Sequence, residues 1–173
     1  MNDVGLILKA LEFAAWRHRT QKRKGEDQSP YINHPIQVAS LLANEGGERD
    51  PVLLNAAILH DVVEDTVETT EGEQVLALTL EVTDDKSLEK QERKRLQVEQ
   101  APHKSVNAKK LKIADKIMNI REITTNPPTW WTLERILEYF ELRKDDYESK
   151  MTEQLKERSV LGEAKEIINF KLH

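Results

Sequence analysis

Residues 52–65, VLLNAAILHDVVED, set His60-Asp61 and, one turn later, Glu64-Asp65 inside an otherwise apolar run. On a helix His60 and Glu64 fall on one line and Asp61 and Asp65 on the next, so four ionisable groups project into one sector. Carboxylates buried there without a partner are strongly destabilising, so a positive charge has to compensate them. A divalent metal ion is the simplest such charge. A helix whose last turn reaches solvent would carry the same letters without any chemistry, and other residues of the chain have to decide between the two.

Three further stretches bear on that choice. Ser29-Pro30-Tyr31-Ile32-Asn33-His34-Pro35 holds His34 between two prolines, with Pro35 in the first turn of a helix running to Leu42. A histidine so flanked is preorganised for ligation, although turn geometry by itself also accounts for the prolines. In 108–124, AKKLKIADKIMNIREIT, the residues Leu111, Ile113, Ala114, Ile117, Met118 and Ile120 surround most of a helix. Lys112, Asp115 and Asn119 interrupt that surface as one polar stripe, which suits the lining of a cavity better than a solvated face. Asp115 is there either as a ligand or as a buried acid paired with Lys112. The basic run Gln21-Lys22-Arg23-Lys24-Gly25 follows the first helix, where its cations complement the helix dipole. His18, on the apolar stripe of that helix, is expected to be a packed, hydrogen-bonded core residue. Taken together, His34, His60, Asp61 and Asp115 offer two imidazoles and two carboxylates. Such a mixed nitrogen and oxygen set suits manganese(II), iron(II), magnesium or zinc.

The elements that must position these groups are helices. Apolar spacing predicts helices over about 3–20, 35–42, 51–65, 73–82, 88–100, 108–124, 132–158 and 162–170, joined by polar or proline-containing loops, with no alternating strand pattern. Charged residues make up 33% and aromatic residues 5% of the chain, which also favours an all-α fold. The 173 residues suit a single domain over 1–173. The run 88–100 is charged almost throughout and reads as an exposed helix laced by ion pairs. Trp130 and Trp131 are expected as core or lid anchors. There is no cysteine, which excludes thiolate metal sites and a cysteine nucleophile and fits a cytoplasmic protein. The N-terminus does not read as a secretory signal, and no apolar run approaches membrane-spanning length, so no membrane association is expected. A formal net charge of −5 argues against nucleic acid as a partner, while the local basic cluster would still serve one nucleotide. An oligomer is possible.

Adjacent His-Asp followed by a distant Asp on an all-helical chain resembles the HD phosphohydrolase superfamily. The segments YINHPIQVA, LHDVVEDT, VTDDKSLEKQERKRLQVEQAPH and LKIADKIMNIRE resemble, in order and spacing, the successive motifs of the hydrolase domain of RelA/SpoT proteins. They are most like the stand-alone small alarmone hydrolases, which include the metazoan SpoT homologs. The likeness runs from about residue 4 to Tyr139.

This resemblance implies an HD-domain helical bundle of about eight to ten helices, counting short ones. It also implies manganese-dependent hydrolysis of guanosine tetra- and pentaphosphate, (p)ppGpp, at the 3′ position, giving GDP or GTP and pyrophosphate. His34, His60, Asp61 and Asp115 would then be the metal ligands. Glu64 and Asp65 match the motif that positions and activates the attacking water. Arg23 and Lys24 match a basic pair near the nucleotide, and Lys112, Asn119 and Tyr139 match further residues of its pocket. A bound metal lowers the pKa of water by several units, a carboxylate such as Glu64 can take the proton, and the cations neutralise phosphate oxygens entering an acidic site. The chain departs from the pattern between Thr70 and Val82, where it is several residues shorter, and at Met118 and Glu89. Other readings are an HD phosphohydrolase acting on another nucleotide, such as the 2′-phosphate of NADPH, or a catalytically silent alarmone-binding module.

Overall fold

In a computed structural model, which describes residues 3–65 and 72–139, the amphipathic runs fold as helices. Helix α1 spans Asp3–Arg17, α2 Asn33–Ser40, α3 Pro51–Asp65, α4 Glu73–Val82, α5 Lys90–Gln100 and α6 Val106–Thr125. A π-helical turn, Leu41–Glu45, continues α2, a 3-10 turn, Ala101–His103, follows α5, and a further helix, α7, covers 133–139. The chain is all-α, as its composition predicts. Strand-like pairing among the described residues is confined to two isolated bridges, Lys22 with Pro30 and Gly25 with Pro128.

Helix α3 is the centre of the bundle and packs against α1, α2, α4 and α6. Leu53, Ala56, Ala57, Ile58, Leu59 and Val62 are buried around its circumference, and a helix apolar on all sides belongs in an interior. Its alanines let neighbouring helices approach closely, and α1 answers with buried Ala10 and Ala14. Leu111, Ile113, Ala114, Ile117 and Ile120 bury α6 in the same core. His60 and Asp61 on α3 and Asp115 on α6 therefore stand on the two most deeply packed helices.

Several boundaries shift for identifiable reasons. Helix α1 stops at Arg17, three residues before the expected end, and α2 starts at Asn33. Pro35 then lies in the first turn of α2, where its missing N–H has no helical acceptor to lose, and the turn carries His34 into the core. The π-helical turn ends where the Gly46 and Glu48 amides reach back to the Leu41 and Leu42 carbonyls, both at 2.9 Å, and Gly47, with φ of 67°, reverses the chain. Helix α6 begins at Val106 behind Ser105, whose Oγ accepts from the Ala108 amide at 3.1 Å.

Helix α5 has no buried residue, and Arg95 pairs on it with Glu92 and Glu99, as a charge-laced helix should. Trp130 is 64% exposed and is not a core anchor, whereas the ring of Trp131 lies tilted against that of Tyr139 with centroids 5.5 Å apart. The expected continuation of α7 to about 158, the helix over 162–170 and the loop 66–71 lie outside the described residues. None of the described helices is long and apolar enough to cross a membrane.

Candidate metal centre and nucleotide site

The start of α2, the end of α3 and the middle of α6 converge, and they bring His34, His60, Asp61 and Asp115 together. His34 Nε2 lies 3.1 Å from Asp115 Oδ1 and 3.9 Å from Asp61 Oδ2. His60 Nε2 lies 3.3 Å from Asp61 Oδ1 and 3.9 Å from Asp115 Oδ1. One ligand atom each from His34, His60 and Asp61 all fall within 4.8 Å of one another. Atoms about 2.0–2.2 Å from a shared first-row ion sit roughly 3–4.4 Å apart, so the four spacings suit one cation.

The protonation pattern points the same way. His60 Nδ1 is 2.7 Å from the Ala57 carbonyl, a backbone contact only a ring N–H can make. That puts a proton on Nδ1 and makes Nε2 the nitrogen available to ligate, the usual arrangement behind a metal-binding histidine. Among the described residues His60 Nε2 is buried without a hydrogen-bond partner, and it faces two carboxylates. Two anions facing one buried ring nitrogen call for a positive charge among them, which a bound cation would supply.

Burial alone would raise the Asp115 carboxyl, but the Lys116 ammonium 3.3 Å away and the hydrogen bond with His34 hold it well below the usual carboxylate range. Asp115 is thus an anion at any ordinary pH. It also accepts from Asn119 Nδ2 at 2.7 Å. The expected alternative partner, Lys112, does not reach it: Lys112 Nζ lies 3.6 Å from Asp84 Oδ1. Helical side chains lean toward the N-terminus, so Lys116 leans back over Asp115 while Lys112 leans away from it.

From Asp115 the network continues along α6. Arg23 donates from Nη2 to Asn119 Oδ1 at 3.0 Å and from Nε to Glu122 Oε1 at 2.8 Å, and a second Arg23–Glu122 contact closes the fork. Burial would lower the Arg23 pKa, but Glu122 outweighs it and raises it. Arg23 is therefore not the solvated helix end its neighbours suggest. The loop carrying it is held by Gly25, where a Cβ would sit 2.6 Å from the Asn126 backbone oxygen, so only glycine permits this approach. Lys24 is exposed beside Arg23, and Tyr139 stands on α7 against Trp131. Glu64 and Asp65 end α3, and their side chains lie outside the described residues.

Sequence patterns passed over three residues here. Tyr31 donates its hydroxyl to Asp61 Oδ2 at 2.9 Å, and Lys116 and Glu122 hold Asp115 and Arg23. Burial, followed by the Asp61 charge, pushes the Tyr31 hydroxyl far above the usual phenol range, so it remains a donor. His18 is a packed core residue as expected, bonded through Nδ1 to Gln21 Oε1 at 2.6 Å with its ring 4.9 Å from that of Tyr31. Tyr31 stands in a recognisable motif, but only the fold shows its hydroxyl crossing to α3.

The HD domain family model matches residues 10–136. A mouse protein, guanosine-3′,5′-bis(diphosphate) 3′-pyrophosphohydrolase MESH1, is 52% identical over 146 residues, covering 81% of this chain and 82% of its own. The chain belongs to the MESH1 branch of the HD-domain family. The Drosophila melanogaster MESH1 is 50% identical over 140 residues and 78% of each chain. Among solved structures, one described as a metazoan ortholog of SpoT that hydrolyzes ppGpp and plays a role in starvation responses matches this HD-domain fold with a TM-score of 0.84. It is 42% identical and covers 96% of this chain and 95% of that one. The crystal structure of lmo0812 from Listeria monocytogenes matches at a TM-score of 0.62 and 26% identity, over 79% of this chain and 97% of that one.

Proposed function

We infer that this HD-domain chain is a metal-dependent (p)ppGpp 3′-pyrophosphohydrolase, which yields GDP or GTP and pyrophosphate. The observation that carries the reading is the unpartnered His60 Nε2, held by Ala57 to face Asp61 and Asp115 beside His34, in a chain about half identical to MESH1 pyrophosphohydrolases. We assign His34, His60, Asp61 and Asp115 as ligands of one divalent cation, with manganese as the metal. When bound, such an ion lowers the pKa of adjacent water by several units.

The chain's own residues do the remaining work. Glu64 and Asp65, one turn beyond the ligands on α3, are assigned to orient the attacking water and accept its proton. Arg23, presented by Glu122 and Asn119 over the ring of Tyr31, is assigned to the substrate's phosphates or base, with Lys24 beside it at the mouth. Asn119 ties Arg23 to Asp115, so nucleotide and metal are held in register. Lys112 and Tyr139 complete the pocket in this reading. We further propose that residues 1–173 form one domain and that the protein works in the cytoplasm.

The test is a substrate panel of guanosine tetraphosphate, GTP and NADPH with manganese and after chelation, for wild type and Asp61→Ala. Conversion of the tetraphosphate to GDP and pyrophosphate, absent in Asp61→Ala and after chelation, is expected. Release of orthophosphate instead, or equal turnover by the variant, would overturn the assignment.

A further inference from the structure

A cavity of about 260 Å³ opens between the C-terminal end of α4, the loop 83–88, α5 and the N-terminal half of α6. Its walls include Lys112 and Lys116 on α6 and Arg93 on α5. None of the four proposed metal ligands lines it, but Lys116 joins it to them, because this residue lines the cavity and its ammonium contacts Asp115 at 3.3 Å. Lys112 stands one helical turn from Asp115, about 4.5 Å along the axis, on the side away from Arg23. Three stations therefore succeed one another along α6: Arg23 at Asn119 and Glu122, the carboxylate and histidine cluster at Asp115, and this cavity at Lys112.

Among the described residues the charges around the cavity are matched with one exception. Lys104 and Lys109 are spent on the Glu81 and Pro102 carbonyls, at 2.6 and 2.9 Å. Asp84 faces Lys112 and accepts from Gln97, Asp85 accepts from Ser87, and Glu81 takes the Ser105 amide and hydroxyl. Every acid named has its donor. Arg93 has no acceptor among the described residues, and its Nε is buried without a partner. A guanidinium fork in a cavity with an apolar floor, which includes Leu96 and Ile113, lacks one thing, an anion with at least two oxygens.

We propose that Arg93, with Lys112 on the α6 wall of the same cavity, binds the distal phosphoryl group of the substrate's 3′-diphosphate, and afterwards the same group of the pyrophosphate product. This rests on the pyrophosphohydrolase reading and extends it to a residue not yet given a role. In the reaction the water oxygen joins the proximal phosphorus, the bond from that phosphorus to ribose O3′ breaks and O3′ takes a proton. The distal phosphoryl keeps its anhydride bond throughout, so it needs a fixed seat beyond the reacting phosphorus. The order along α6 supplies that seat opposite the nucleoside end marked by Arg23. Arg93 is a binding residue in this account, and the apolar floor strengthens its pairing by lowering the local dielectric.

The test compares wild type, Arg93→Gln, Arg93→Lys and, as a control, Arg95→Gln, whose guanidinium is already paired with Glu92 and Glu99 on the exposed side of α5. Two readouts are used: calorimetric binding of inorganic pyrophosphate, and the KM and kcat for guanosine tetraphosphate. Arg93→Gln is expected to weaken pyrophosphate binding and raise KM by about 10- to 100-fold, the worth of a charge-assisted bidentate contact, with kcat within about threefold. Arg93→Lys recovers part of the loss, because it restores the charge without the fork, and Arg95→Gln changes neither readout. Pyrophosphate binding that is absent in wild type or unchanged in Arg93→Gln overturns the proposal, as does a variant that only loses thermal stability. If the wild type binds pyrophosphate through Arg93 but does not hydrolyse the tetraphosphate, the substrate reading fails and the anion site stands.

Discussion

Tyr31→Phe removes one oxygen and little else. The ring contacts with His18 at 4.9 Å and with the Arg23 guanidinium at 5.1 Å are available to phenylalanine, so the loop carrying His34 stays packed. What is lost is the 2.9 Å donation to Asp61 Oδ2, the bond that fixes which carboxylate oxygen turns toward His60. A hydrogen bond to a charged acceptor is worth about 1.5–3 kcal/mol, or roughly 10- to 100-fold in a binding constant at 1.4 kcal/mol per decade. The Asp61 side chain is 14% exposed, so water replaces the donor only in part and the loss belongs in the lower half of that range, about 10- to 30-fold. Losses of this size are usual when the group behind a metal ligand is removed. The assay is a manganese titration of purified, metal-stripped protein, followed by calorimetry or by the paramagnetic resonance of free Mn²⁺, with thermal unfolding of the metal-free form as the structural check. The expected result is weaker manganese binding with metal-free stability reduced by no more than about 1 kcal/mol. Equal affinities within about twofold would refute the positioning role. A collapse in stability of the metal-free form would show that the hydroxyl serves the fold.

Glu64→Ala is expected to keep manganese affinity within about threefold of wild type while turnover falls by about 100-fold or more, the usual worth of a general base; loss of metal binding in calorimetry would make Glu64 a ligand instead. Saturating manganese at about 100 times its dissociation constant should stabilise the protein by about 2.7 kcal/mol and raise its melting temperature by roughly 5–10 °C, an increase that chelation reverses in differential scanning fluorimetry. Asp115 has its folded pKa depressed, so it contributes stability above the unfolded carboxylate pKa of about 3.9, and that contribution is lost as pH falls through the folded value. Metal-free wild type should therefore lose stability in denaturant titrations below about pH 4, and Asp115→Asn should flatten that acid limb.

Most of the helices were legible in the chain, because their apolar residues recur at helical spacing and their ends carry Pro, Gly or Ser. The apolar run over 52–62 placed α3, and the polar stripe of Lys112, Asp115 and Asn119 marked α6 as the lining of a site. Boundaries were less legible where the chain leaves α geometry: the π-helical turn at Leu41–Glu45 depends on carbonyl and amide positions that no residue type announces.

The site divides in the same way. Residue types and order alone named His34, His60, Asp61 and Asp115, since two imidazoles and two carboxylates on otherwise apolar helices call for a shared cation. Spacing along one helix could not say which cation serves Asp115; Lys112 and Lys116 are both within a turn, and the lean of helical side chains gave it Lys116 and sent Lys112 to Asp84. Nor could it say that Arg23 would turn inward to Glu122, that Tyr31 would steady Asp61, or that Arg93 would find no acceptor among the described residues beside a cavity. The chain by itself determined an all-helical bundle and the candidate ligands it carries, because periodicity and residue chemistry are local properties. The tertiary structure decided the partners, because contacts between residues tens of positions apart exist only once α1, α3, α5 and α6 have packed.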